Sequence, residues 1–220
     1  MTPGAEDVRQ RILHSAVELL REARDAESVS IRAIAERAGV SVGMANYHFG
    51  TKDNLIELAV QTYIGSVIRG QDPDAPAGAE AAGAEAAGAL PEEPPRQAMK
   101  RRLRAAARFV AAHPGISRVS ILRDIRQGHP GDNSSDIAEG VYRQLQIARS
   151  EAVGADASDE SELRVRSLMQ VAAVQHLFMR AAVIRETTGL DFYDEEQRDR
   201  MMDIIVDTVL GLPPASGEEK

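Results

Sequence analysis

The sequence predicts an all-α protein. Val, Ile, Leu and Ala recur at three- and four-residue spacing along nearly the whole chain. No alternating apolar run makes a credible strand. Helix punctuation, with Ser, Thr or Asp before periodic segments and Gly or Pro after them, agrees with that periodicity.

Val8, Ile12, Ala16, Leu19, Leu20 and Ala23 form one face of a first helix. Ser30 can cap a short second helix from Ile31 to Ala38, whose apolar positions are Ile31, Ile34, Ala35 and Ala38. Gly39 supplies the positive φ of a tight turn, Val40 plugs it, and Ser41 caps a very short third helix. Leu55, Ile56, Ala59, Tyr63 and Val67 mark a helix from about Lys52 to Arg69, stopped by Gly70. Met99, Leu103, Ala106 and Val110 give another, closed by Pro114; Ile116, Val119, Leu122 and Ile125 follow, closed by Gly128. Asp132, Asn133, Ser134 and Ser135 then read as turn-and-cap chemistry before a helix carrying Ile137, Val141, Leu145 and Ala148.

From about Asp159 to Thr187 the pattern predicts one long helix. Between Leu168 and Ile184 its apolar residues cover nearly every side, which predicts burial all round: one face on its own domain, the other on a second copy. The final helix starts at Asp194, an N-cap followed by Glu195, Glu196 and a capping-box-like Gln197. It carries Met201, Met202, Ile205, Val209 and Leu212 and ends at Gly211, Pro213 and Pro214.

Composition bounds what these helices can do. The chain has 220 residues and 23.8 kDa, enough for one large or two small domains; 43% is hydrophobic and 27% charged. Cysteine is absent, so disulfide scaffolds and thiolate metal sites are excluded. The net charge of −8 and pI of about 5.2 exclude a globally basic nucleic-acid coat protein, but not a local DNA-reading element. Residues 1–70 hold eight basic and nine acidic side chains against 18 and 25 in the remainder, so the N-terminal part is far less acidic. There is no signal-peptide pattern, and the longest apolar stretch, Val171 to Ile184, is interrupted by Gln175, His176 and Arg180 and is shorter than a membrane span. The expected protein is soluble and cytoplasmic.

Three parts are expected: residues 1–70, a linker at 71–95, and residues 96–220. The middle part contains five prolines (Pro73, Pro76, Pro91, Pro94, Pro95), a repeat of Gly-Ala-Glu-Ala-Ala from Gly78 and Gly83, and little that is large beyond Leu90. Without an apolar stripe nothing docks it, which predicts a flexible Ala/Gly/Pro-rich linker.

Residues 30–49 carry the functional signal. Two helices separated by a short turn containing Gly39 make the helix-turn-helix pattern, with Ile34, Ala35, Val40, Ala45 and Phe49 as its internal contacts. Val42, Gly43, Met44 and Ala45 make the start of the second helix small, so that it can approach a major groove closely. Thr51 is an N-cap candidate, which puts the cation Lys52 in a first turn where the macrodipole disfavours it by ~0.3–1 kcal/mol. Beside free backbone N–H groups, however, Lys52 can clamp a phosphate, and Tyr47 and His48 can donate to phosphate oxygens. Taken singly, these residues read more readily as a solvated surface charge and a partly buried aromatic; together behind a helix-turn-helix they point to DNA.

Val8 to Leu55 resembles the DNA-binding domain of the TetR family of bacterial transcriptional regulators. Ala35, Ala38-Gly39-Val40-Ser41, Gly43, His48-Phe49, Lys52 and Leu55 match that family in order and spacing. The resemblance implies an N-terminal three-helix DNA-binding domain with a helix-turn-helix, and a larger C-terminal helical domain that dimerises and binds a ligand. Two features depart from the family pattern: Asn46 stands where many members carry tyrosine, and the Ala/Gly/Pro-rich insertion is additional. The resemblance makes Arg32, Ser41, Asn46, Tyr47, His48 and Lys52 candidates for contacts to the DNA backbone, with Ser30 a further DNA-binding candidate. Val42, Gly43 and Met44 would face base edges. It further implies a homodimer, through the last two helices, on a palindromic operator, released by an unidentified small-molecule effector.

Candidate effector contacts are Phe109, Leu122, Met169, His176, Phe178 and Met179, although apolar residues at helical spacing are ordinarily core. The basic run Arg96, Lys100, Arg101, Arg102, Arg104 and Arg108 could grip an anion or DNA; the plainer expectation is a solvated face balancing an acidic domain. No nucleophile elbow, phosphate loop, dinucleotide glycine pattern or His-Glu-x-x-His motif is present, and the five histidines do not pair at metal-ligand spacing. An enzyme is therefore not expected, nor is a cofactor or metal. The rival to a ligand-responsive repressor is a DNA-binding regulator or accessory protein without a small-molecule ligand, and activation needs the same binding as repression.

Overall fold

The computed structural model describes residues 3–23, 26–68, 93–128, 132–153 and 159–211. Among these are ten α-helices, one 3-10 turn at Ala26–Ser28 and no strand, so the fold is all-α as expected. The helices are α1 (Pro3–Glu22), α2 (Ile31–Arg37), α3 (Val42–Phe49), α4 (Lys52–Ile68), α5 (Pro95–Ala112), α6 (Pro114–Gln127), α7 (Asn133–Val153), α8 (Glu160–Met179), α9 (Ala181–Thr188) and α10 (Glu195–Leu210). The segment read as a linker lies outside the described residues up to its last three positions. So do Gly70, Leu212, Pro213 and Pro214.

The chain forms two compact units. The first comprises Met1–Ser66 and His113–His129, so α6 joins the N-terminal helices across a long sequence separation. Its core is built from Ile12, Leu13, Ala16 and Leu20 of α1, Ile34 and Ala35 of α2, Ala45 and Phe49 of α3, and Leu55, Ile56, Ala59 and Val60 of α4, all buried. α6 adds Ile116 and Ile121, and its Arg123 lies 3.7 Å from Glu57 of α4. The apolar stripe expected on α6 ran through Ile125, but Ile125 is exposed and Ser117, Ser120 and Asp124 are buried instead. The inner face of α6 is therefore partly polar, which hydrophobic periodicity cannot report.

The second unit comprises Val67–Ala112 and Pro130–Lys220. Here α7 runs antiparallel to α8, tied by Gln175 Nε2 donating to Ser134 Oγ at 2.8 Å and by Arg149 lying 3.6 Å from Glu162 near the opposite end. Asp132 caps α7 by accepting from the Ser135 N–H at 2.8 Å. α10 opens as the sequence predicts, with Asp194 Oδ1 accepting from the Gln197 N–H at 2.9 Å. The Gln197 side chain reaches back to the N–H of Asp191 rather than to that of Asp194, a wider version of the capping box.

α5 and α10 are antiparallel and bound by a ladder of charges. Arg96 and Lys100 pair with Asp207, Arg104 with Asp203, and Arg108 with Asp199. The basic run is thus not a solvated face: four of its six cations lie along the α10 aspartates, at four-residue steps on both helices. Of the other two, Arg101 pairs with Glu93.

The helix expected to run unbroken from Asp159 to Thr187 is bent by 81° at Arg180. The Arg180 backbone (φ −112°, ψ 18°) still donates to His176, while its carbonyl starts α9 by accepting from Ile184. No proline or glycine marks the break. The bend is a tertiary effect: it lets Phe178 and Ala181 both be buried, with the Phe178 ring 5.9 Å from that of Phe192. Fully burying such a phenylalanine stabilises by ~1.5–3 kcal/mol, enough to offset the backbone distortion. In the single chain Leu168, Met169 and Val183 of this segment are exposed, the face that the sequence analysis expects a second copy to cover.

Candidate nucleic-acid interface

The local sequence sets the angle of α3. Ser30 Oγ accepts from the Ala33 N–H at 3.1 Å and starts α2; Ser41 Oγ accepts from the Met44 N–H at 3.1 Å and starts α3. Between them Gly39 takes φ +66°, the left-handed region that side chains disfavour. The half-buried Val40 donates its N–H to the Ala35 carbonyl at 2.9 Å, closing the turn. Ala45 and Phe49 are the two buried residues of α3 and fix which way it faces. The Arg9 guanidinium covers the Phe49 ring at 5.4 Å.

Everything else at the leading end of α3 faces outward. Ser41, Val42, Gly43, Met44, Asn46 and Tyr47 are exposed, Tyr47 to 83%. An eight-residue helix is ~12 Å long, comparable to the ~12 Å width of a DNA major groove. A single chain has no packing reason to expose Val42, Met44 and Tyr47 together. Nor does packing require glycine at 43, since a Cβ there would meet only Ser41 Oγ at 3.8 Å. Arg32 and Ser30 are exposed at the start of α2. His48 is half-buried, edge-on to Tyr47 with centroids 5.3 Å apart.

α4 is held against this unit from its first turn. Thr51 Oγ1 accepts from the Asn54 N–H at 3.2 Å, the cap read from sequence, and Asn54 Nδ2 donates to the Phe49 carbonyl at 2.8 Å. Lys52 is half-buried, and its Nζ donates to the Glu27 carbonyl at 2.9 Å. Arg37 forks onto Glu22 with bonds of 2.8 and 3.0 Å, fastening α2 to α1. The bond from Arg37 holds the Glu22 carboxyl below its ordinary pKa. Sequence reasoning missed these two anchors. Glu22 and Arg37 are fifteen residues apart, and a backbone carbonyl leaves no mark in a sequence.

Of the residues considered for an effector, five lie in the second unit and Leu122 in the first. Phe109 and Phe178 are buried in the second unit, while Met179 is half-buried and Met169 and His176 are exposed. Leu122 is on α6 and belongs to the first unit. Among the described residues no cluster of His, Asp or Glu could hold a metal ion. No single described helix is long and apolar enough to cross a membrane; the bent pair α8 and α9 passes on length and composition only when joined.

Comparison with known proteins agrees with this geometry. The sequence model of the bacterial regulatory proteins of the tetR family matches residues 12–59, which run from α1 into α4. Over 78 residues the chain is 41% identical to the HTH-type transcriptional repressor Rv3405c of Mycobacterium tuberculosis, covering 35% of this chain and 40% of that protein. The HTH-type transcriptional regulator Mb3439c of Mycobacterium bovis matches to the same extent, so the aligned part spans 40% of the length of these relatives. Among solved structures, a transcriptional regulator from Rhodococcus sp. Rha1 superposes with a TM-score of 0.59 at 18% identity, over 94% of this chain and 99% of that one. The TetR family transcriptional regulator PfmR from Thermus thermophilus gives 0.52 at 19% identity, over 89% and 97%. These two share the all-helical fold over nearly the whole chain.

Proposed function

We propose that the chain is a member of the tetR family of bacterial regulatory proteins, whose sequence model matches residues 12–59, and that it is a ligand-responsive transcriptional repressor, binding a palindromic operator as a homodimer and released by a small molecule. One observation carries the DNA reading: α3 turns Ala45 and Phe49 inward and leaves Val42, Gly43, Met44, Asn46 and Tyr47 uncovered. Val42, Gly43 and Met44 read base edges. Ser30, Arg32, Ser41, Asn46, Tyr47, His48 and Lys52 contact the sugar-phosphate backbone, which gives position and salt dependence rather than sequence preference. The acidic net charge suits this division, since a few local contacts rather than a basic coat do the binding.

Dimerisation is supported by the second unit. Val165, Leu168 and Met169 on α8 and Ile204 on α10 are exposed apolar side chains on the two helices that the sequence assigns to self-association. A second copy would cover them and hold two recognition helices about one helical turn of DNA apart, ~34 Å, or a multiple of it. An effector that binds only the other spacing shifts the population away from DNA.

The test is selection of genomic fragments by the purified protein, followed by titration of the recovered fragment. A palindromic site bound by two chains with nanomolar affinity is expected. Binding that shows no preference over random fragments would reject the operator reading.

A further inference from the structure

We propose that the interior of the second unit is an effector site for an organic carboxylate with an apolar body, and that Arg198 of α10 receives the carboxylate. The proposal rests on the sensor reading above and names the chemistry that the effector must have.

Arg198 is only 6% exposed, and a buried arginine is ordinarily paired. This one is not. Among the described residues its side-chain hydrogen bonding comes to a single contact, Nη1 donating to the Phe192 carbonyl at a long 3.5 Å; Nε has no partner, and no carboxylate pairs with it. The neighbouring acid, Asp199, is directed to Arg108. Arg198 also stands one turn into α10, near the helix end where the macrodipole favours anions over cations. Desolvation, a missing counter-ion and an adverse dipole all oppose a cation here, while methionine or leucine would fill the same interior without those costs. An anion supplied from outside removes all three objections, since a carboxylate can accept the guanidinium fork through two bonds.

The surroundings define the rest of the ligand. The Phe192 carbonyl that touches Arg198 belongs to the residue whose ring packs on Phe178, and both rings are fully buried, so the carboxylate would arrive beside aromatic surface. On the buried face of α8, two turns or about 12 Å before Phe178, Gln170 is 4% exposed and its Oε1 also lacks a partner. α8 and α10 pack against each other. Two uncommitted buried polar groups on the packed helices α8 and α10 suit a molecule with an anionic head for Arg198, an aryl or acyl body and a hydrogen-bond donor or water for Gln170.

The experiment uses the full chain, with phenylacetate and octanoate as probes, each beside its neutral amide and beside chloride and phosphate. Calorimetric titration and the unfolding temperature are read together. At least one carboxylate should bind and raise the unfolding temperature by several degrees, with the amides and the inorganic anions at least tenfold weaker. Arg198→Met should bind the carboxylate at least tenfold more weakly while unfolding at or above the parent temperature, because it loses no paired partner. Arg198→Lys, which keeps the charge without the fork, should fall between. Failure of both carboxylates to bind, equal binding of the amides or of the inorganic anions, parent affinity in Arg198→Met, or an Arg198→Met chain that unfolds well below the parent would each overturn the proposal. Operator release is measured separately: carboxylate binding without release leaves this site standing and removes the switch assigned to it.

Discussion

The ammonium of Lys52 donates to the backbone carbonyl of Glu27 at 2.9 Å, across twenty-five residues of chain. This single bond ties the first turn of α4 to the 3-10 turn that precedes α2, so the cation assigned to DNA also holds the unit that presents α3. The bond is exposed, and the carbonyl can exchange Nζ for water when a phosphate approaches.

Lys52→Ala should therefore have two effects. Operator and random DNA weaken alike, and the slope of log affinity against log salt becomes shallower by about one unit. Stability falls by about 0.5–1.5 kcal/mol from the lost hydrogen bond. Binding isotherms at three salt concentrations, with urea unfolding alongside, separate the two. An unchanged slope would remove Lys52 from the phosphate contacts and leave it a structural tie.

Gly39 and Gly43 should respond in opposite ways to the same substitution. Gly39 has φ +66°, so Gly39→Ala forces a side chain into the left-handed region and should cost about 1–2 kcal/mol. Gly43 is helical with open space for a Cβ, so Gly43→Ala should raise stability by up to ~1 kcal/mol. DNA binding inverts the order of interest. The stabilised Gly43→Ala should lose operator affinity or change its preferred bases, because the new methyl stands on the exposed leading edge of α3. Unfolding curves and a binding-site selection on both variants check this, and unaltered site preference in Gly43→Ala would move base reading elsewhere on α3.

Sequence legibility follows the range of the interaction involved. The caps at Ser30, Ser41, Thr51 and Asp194 each act within three residues, and all four are found bonded where the sequence places them. Ile34, Ala45 and Phe49 lie inward as helical spacing requires. What periodicity hides is partnership. Arg96 and Asp207 are 111 residues apart in the chain, so the basic run looked solvated until α10 was brought beside it. The bend at Arg180 has no local cause, and its cause, the Phe178–Phe192 contact, joins side chains on opposite sides of the bend. Nothing in the helix pattern marks Arg198, because its burial depends on elements that pattern does not show.

The α5–α10 ladder should make stability sensitive to acid. Burial alone would push the Asp207 carboxyl up, but hydrogen bonds from Arg96 and Lys100 outweigh it and hold the group below its ordinary 3.8. A depressed folded-state pKa means that the stabilisation is present above the unfolded value and is lost as pH falls through the folded one. Asp207→Asn should thus cost about 1 kcal/mol near pH 7, discounted for its partial exposure, and progressively less below pH ~4. Urea unfolding at pH 7 and in the acid range checks this; a penalty that stays constant into acid would show that the carboxylate charge is not what Arg96 and Lys100 recognise.

The exposed stripe on α8 gives the sharpest test of assembly. Val165, Leu168 and Met169 lie at three- and four-residue spacing on one face, and Leu168 is 58% exposed in the single chain. A charge at Leu168 faces water in a monomer and is nearly without cost there, but in a dimer it is desolvated against an apolar copy of itself. Leu168→Glu should accordingly leave the helical circular-dichroism spectrum unchanged, halve the mass seen by light scattering, and lower operator affinity at least a hundredfold, because two half-sites are then bound independently. The conservative Leu168→Met should retain the dimer. A parent chain that already runs as a monomer at micromolar concentration, or a Leu168→Glu variant that stays dimeric, would place self-association on another surface and free α8 for a different partner.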